Sequence, residues 1–110
     1  MAEGSPGILN LRYSDRANDS LNQIWWDTAA RWSPAQADRY VTFLRDEIEK
    51  LKDVPSLGSP VEGADGFRAV SISLRPGRDG HVVVYQVVPA ESAIEVLHIF
   101  HTKQNWPEQI

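Results

Sequence analysis

A chain of 110 residues, 42% hydrophobic and 24% charged, carries enough apolar side chain for one core and too much for a disordered segment. Zero cysteines exclude disulfides and thiolate chemistry, and no apolar run nears the roughly 18 residues that span a membrane. The net charge of −4 is unevenly held: residues 1–66 carry eleven Asp/Glu against seven Lys/Arg and residues 67–110 four of each, so neither half has the basic surplus that gripping a nucleic-acid backbone needs.

The opening MAEGSPG lacks the basic and apolar blocks of a signal peptide. Residues 1–7 read as a flexible tail ahead of one domain over 8–110, in a cytoplasmic protein. From Ile8 to Tyr13, Leu9, Leu11 and Tyr13 alternate with Asn10 and Arg12, the mark of a short half-buried strand. Ser14 caps a helix running to about Arg31. Its stripe of Ala17, Leu21, Ile24, Trp25, Thr28 and Trp32 puts Trp25 and Trp32 in the core. Ser33 caps the next helix, Pro34 suits its first turn, and Gln36 completes a Ser-x-x-Gln capping box. The second stripe is Ala37, Tyr40, Val41, Leu44, Ile48 and Leu51. Asp38, Arg39, Arg45, Asp46, Glu49, Lys50 and Lys52 make the solvated face, and Pro55 stops the helix near Asp53. The short Arg31–Ser33 turn folds the two helices into an antiparallel hairpin.

Val54–Gly66 is a turn-rich connector. Phe67–Leu74 then alternates Val70, Ile72 and Leu74 with Ser71 and Ser73, a strand with one buried face. Pro76–Gly80 turns the chain into His81–Val88, apolar on nearly both faces and so a central strand. Pro89–Ser92 turns it again into Ala93–His101. Strict alternation there sets Ile94, Val96, His98 and Phe100 against Glu95, Leu97, Ile99 and His101. The expected architecture is α+β, in the order β-α-α-β-β-β, with the helical hairpin packed on one face of a mainly antiparallel sheet.

Few residues stand outside this packing pattern. Trp26 points off its helix stripe and is either a partner contact, the favoured reading, or an aromatic lying over a neighbouring helix. Trp106, beyond the last strand, either packs back on the sheet or anchors a partner. Asp46, Glu47 and Glu49 do not bring three carboxylates to one point, so no metal is expected there. No glycine-rich loop leads a strand into a helix, so no nucleotide cofactor is expected either.

The segments QIWWDTAARWSPAQADRYVTFLRDEIEKLKDVPSLGSPV, GFRAV, HVVVYQV and IEVLHIFH, in that order, resemble the RelE/ParE superfamily, the toxin halves of bacterial type II toxin–antitoxin pairs. The ParE-like branch is the nearer. Its P-x-L-G-x-P signature is matched by Pro55, Leu57, Gly58 and Pro60, its Phe-Arg strand opening by Phe67 and Arg68, its central-strand tyrosine by Tyr85, and its V-L-x-x-x-H closure by Val96, Leu97 and His101. The chain departs from the pattern where Gln86, not arginine, follows Tyr85, where the Pro76–Gly80 turn is longer, and where TKQNWPEQI replaces a small, basic run. The resemblance implies a RelE/ParE-like fold and a toxin that traps DNA gyrase. It also implies a cognate antitoxin that folds on the toxin surface in a hetero-oligomer, through Trp26, Arg68, His101, Lys103 and Trp106.

A RelE-like member would instead cut mRNA on the ribosome, driving a 2′-hydroxyl onto the adjacent phosphate. That needs a base, an acid and cations for the transition state. Arg68, Arg75, Tyr85, His101 and Lys103 are the residues that could supply them. The competing readings are structural. Arg68, Arg75 and Arg78 make a solvated strand edge, Tyr85 and His98 belong to the core, and His81 faces solvent beside its turn. A non-toxic antitoxin-binding module is the third possibility. The balanced charge of the second half ranks the gyrase reading first.

Overall fold

The computed structural model describes residues 9–74 and 80–104. The expected tail, Arg75, Arg78, the turn before Gly80, and Trp106 lie outside the described residues. Both serine caps are in place. The Ser14 hydroxyl accepts from the Ala17 N–H at 3.0 Å to open α1 (Asp15–Arg31), and the Ser33 hydroxyl accepts from the Gln36 N–H at 3.1 Å to open α2 (Pro34–Glu49). The Gln36 side-chain carbonyl takes a bond from Arg39 at 2.9 Å. A 3-10 turn over Lys50–Lys52 prolongs α2 and buries Leu51.

The sheet contains β1 (Asn10–Tyr13), β2 (Ser59–Pro60), β3 (Phe67–Ile72), β4 (His81–Val88) and β5 (Ala93–His101), ordered β1-β5-β4-β3-β2. Every neighbouring pair is antiparallel except β1 with β5. β4 is central, as its unbroken apolar run implies. Inside the connector, Ser59 and Pro60 form an edge strand on Ala69 and Arg68, too short to leave a period in the sequence. β3 ends two residues before the expected Leu74, which is 55% exposed.

The helices cover one face of the sheet. Leu21, Ile24, Leu44, Ile48 and Leu51 pack with Ile72, Val83, Tyr85, Ile94, Val96 and Ile99. Val82, Val84 and Phe100, joined by Phe67, Ala69 and Leu97, form a second cluster. The β4–β5 register accounts for the division. Tyr85 pairs with Val96 while Val84 pairs with His98, so Leu97 is an extra residue in β5. This bulge corrects the strict alternation expected for that strand. His98 leaves the face of Ile94 and Val96, joins Phe100, and stacks on it at 3.9 Å between ring centroids. Ile99 and His101 return to the helix side, and the Leu97 carbonyl is left to accept the Ser14 hydroxyl at 2.7 Å.

Two tryptophans also differ from expectation. Trp32 is 73% exposed because α1 ends at Arg31; its own φ/ψ of −122°/−79° is not helical, so the stripe cannot be extended to it. Trp25 is half-buried and straps the hairpin together, its indole N–H donating to the Asp38 carboxylate at 2.8 Å. Trp26 is 67% exposed and meets Trp25 edge-to-face at 5.0 Å.

Candidate functional site

Of the residues singled out in the sequence, Arg68, Tyr85, His81, His101 and Lys103 fall at two places along β4, while Trp26 stands apart on α1. The first is the Pro55–Pro60 signature. Tyr85 is fully buried, and its hydroxyl donates to the Pro55 carbonyl at 2.7 Å while accepting the Gly58 N–H at 2.8 Å. The Arg68 guanidinium binds the Gly58 carbonyl, so Arg68 is half-buried and engaged rather than a solvated edge charge. A Cβ on Gly58 would lie 2.8 Å from the Ala69 carbonyl oxygen and 2.8 Å from the Tyr85 ring and hydroxyl. Only glycine fits there. The signature is thus a turn nailed to the sheet by one phenol and one guanidinium.

The second place is a groove of about 1550 Å³ between α1 and the ends of β4 and β5. Arg16, Asp19, Asp27 and Arg31 bring charge to it, Trp32 and Leu74 are its exposed apolar residues, and Tyr40, His81, Ile99, His101 and Lys103 also line it. His81 is half-buried rather than solvent-facing. Its Nδ1 lies 2.6 Å from the Tyr40 hydroxyl, and its ring meets His101 edge-on at 5.2 Å. Burial, with a smaller contribution from His101, pushes the His81 imidazole down to about 4 against the pull of Asp27. Burial likewise pushes the Tyr40 phenol up to about 12. Both are therefore neutral near pH 7, and the phenol, the more acidic partner, donates to Nδ1. His101 Nδ1 accepts the Lys103 N–H at 3.0 Å. With Nδ1 accepting in both rings, the N–H of each lies on Nε2.

The two places are far apart. Tyr85 and His81 lie four residues apart on one strand, about 13 Å at the usual rise. Arg68 and Tyr85 therefore do not converge with His101 and Lys103 on one scissile phosphate, and Arg75 lies outside the described residues. Among the described residues no three His, Cys, Asp or Glu side chains gather as metal ligands.

The family model of the ParE toxin of type II toxin–antitoxin systems, parDE, matches residues 11–106. The chain belongs to the ParE toxin family. A "Toxin ParE1" of Caulobacter vibrioides is 35% identical over 88 residues, covering 79% of this chain and 85% of the relative. A "Toxin ParE1" of Mycobacterium tuberculosis is 28% identical over 100 residues, covering 88% and 95%. In fold, the chain is similar to the chromosomal ParDE system of P. aeruginosa, with a TM-score of 0.73 at 17% identity over 88% of this chain and 99% of the other. A double mutant of the E. coli toxin RelE in the free state follows at a TM-score of 0.64 and 13% identity, over 92% and 90%. At such identities the likeness speaks for the fold, a hairpin on a mixed five-stranded sheet.

For a ParE-family toxin, the groove's Tyr40–His81 pair is the feature that sequence reasoning passed over. Tyr40 reads as one more member of an apolar stripe and His81 as a turn residue. Their contact spans 41 positions and exists only because β4 lies under α2. No local pattern carries it.

Proposed function

We propose that this ParE-family toxin halts growth by poisoning DNA gyrase in the cytoplasm, through binding rather than bond chemistry of its own, and that a cognate antitoxin neutralises it. One observation carries the reading. The Tyr85 hydroxyl and the Arg68 guanidinium, the best acid and cation for RNA cleavage, are spent on Pro55 and Gly58, and Tyr85 lies four residues, about 13 Å of strand rise, from His81, which pairs with His101. The even charge of residues 67–110 also argues against a protein that must seat itself among ribosomal phosphates. Among the fold neighbours are toxins held in complexes, the intact E. coli RelBE toxin–antitoxin complex with a TM-score of 0.55 among them, which supports an antitoxin partner and a hetero-oligomer. Trp26, His101, Lys103 and Trp106 are the contacts proposed for partners, while Arg68 is better explained by Gly58.

Purified protein tested in parallel on gyrase supercoiling and on ribosome-bound mRNA decides the matter. The expected result is lost supercoiling with trapped, cleaved DNA, and intact mRNA. Site-specific mRNA cuts with gyrase untouched would transfer the function to ribosome-dependent RNA cleavage. Inactivity in both, with antitoxin binding retained, would leave a non-toxic binding module.

A further inference from the structure

We propose that His81 and His101 form a carboxylate-binding subsite in the floor of the groove, which takes one acidic side chain of the antitoxin together with its apolar neighbours. The inference rests on the antitoxin reading above. Each imidazole has its Nδ1 tied back, one to the Tyr40 hydroxyl at 2.6 Å and the other to the Lys103 N–H at 3.0 Å. The Nε2–H of each ring has no partner among the described residues and remains for a ligand. With the rings 5.2 Å apart and edge-on, both donors belong to one short stretch of the groove, and a carboxylate has two oxygens to accept them. The same backbone bond to His101 argues against other uses. A metal ion or a general base would need a lone pair on Nε2, where the ring holds its N–H.

The surroundings select the source of the anion. Asp19 and Asp27 line the groove among Arg16, Arg31 and Lys103, so the cations are largely offset and a phosphate backbone, charged at every step, would meet like charge at two of the five charged positions. A peptide presents one carboxylate and can keep its other side chains apolar. Ile24, Ile99, the exposed Trp32 and the exposed Leu74 line the groove as apolar surface for them. A short segment in which Asp or Glu is flanked by aliphatic or aromatic residues fits both features.

The experiment uses the full-length toxin and the antitoxin encoded in the adjacent reading frame, with binding followed by calorimetry. His81→Phe and His101→Phe keep a ring in place and remove the donors. Each is expected to weaken binding about tenfold or more, the effect of losing a hydrogen bond to a charged group. One Asp→Asn or Glu→Gln change in the antitoxin should cause a similar loss, and no further loss when combined with His101→Phe. Unchanged affinity in both ring variants overturns the subsite, as does a loss that no acidic residue of the antitoxin shares. Nitrogen-resolved NMR of the parent protein is independent of how the variants fold. Both Nε2 protons should be seen in the free toxin and shift on complex formation; Nε2 signals that stay fixed would overturn the assignment. A labelled RNA oligonucleotide that binds the parent at physiological salt and is lost in His101→Phe would make the groove a phosphate site instead. An antitoxin that fails to bind even the parent toxin removes the antitoxin reading itself, a failure distinct from all of these.

Discussion

Tyr85 combines full burial with a hydroxyl that has both a donor and an acceptor to serve, and the two partners it serves belong to the Pro55–Pro60 turn. Tyr85→Phe strands the Gly58 N–H and the Pro55 carbonyl and is expected to cost about 1–3 kcal/mol in urea denaturation. Gly58→Ala forces the Ala69 strand or the Tyr85 ring to move and should cost a similar amount, about 1–3 kcal/mol. A Tyr85→Phe protein of unchanged stability would refute the anchoring role. His81 supplies a second residue-scale expectation. It stays neutral in the fold down to about pH 4, whereas the unfolded chain takes up the proton near 6.5. Between those values the unfolded state binds more protons, so stability falls as pH drops from 6.5 towards 4 and the loss levels off below. The His81 share is on the order of 3 kcal/mol, less whatever solvent access relieves. His98, also shifted downward by burial and then by Arg16, works in the same direction. Denaturation of the parent and His81→Phe at several pH values between about 7 and 4.5 should give converging stabilities; parallel curves would show that His81 is not the group concerned.

At the scale of elements, the hairpin carries the core, with Leu44 and Ile48 both at 0% exposure beneath α2. Leu44→Ala or Ile48→Ala should each cost about 2–5 kcal/mol through lost burial and a residual cavity. Asp46→Ala, on the solvated face, should stay within about 0.5 kcal/mol of the parent. Asp38 shares that face by sequence yet holds the Trp25 indole, so Asp38→Ala should cost more, about 0.5–1.5 kcal/mol. A denaturation series in which all four variants behave alike would break the face assignment. Most elements were legible because their signals are local: the Ser14 and Ser33 caps, the two stripes, the apolar run of β4. What escaped the sequence depends on neighbours. The Leu97 bulge is visible only against the β4 register, β2 is two residues long, and Trp32 lies one step past the point where helical phase applies. The site escaped for the same reason. Tyr85 and Arg68 could be read as an acid and a cation until the turn they hold came into view, and Tyr40 and His81 meet only once strand order is known.

Across the whole molecule, the sheet is closed by its most distant pairing. β1 lies parallel to β5, with Tyr13 opposite Val96 and the Ser14 N–H on the Val96 carbonyl at 2.9 Å. The β4–β5 pair needs only a four-residue connection, so it is expected to form early and the β1 docking late. Leu11→Ala should therefore quicken unfolding while leaving the folding rate nearly unchanged; a slowed folding arm in the chevron would place β1 in the nucleus instead. The same arrangement has a consequence during synthesis. At about 5–20 residues per second, β1 waits on the order of ten seconds for β5 to be made. Until then the nascent chain has its helices and four strands, β1 still unpaired, but neither Ile94 nor Val96 to finish the core, and His101 has not yet joined His81. The toxin therefore emerges with an open sheet edge and no groove floor. An antitoxin that reads that floor meets a finished protein, not a growing one.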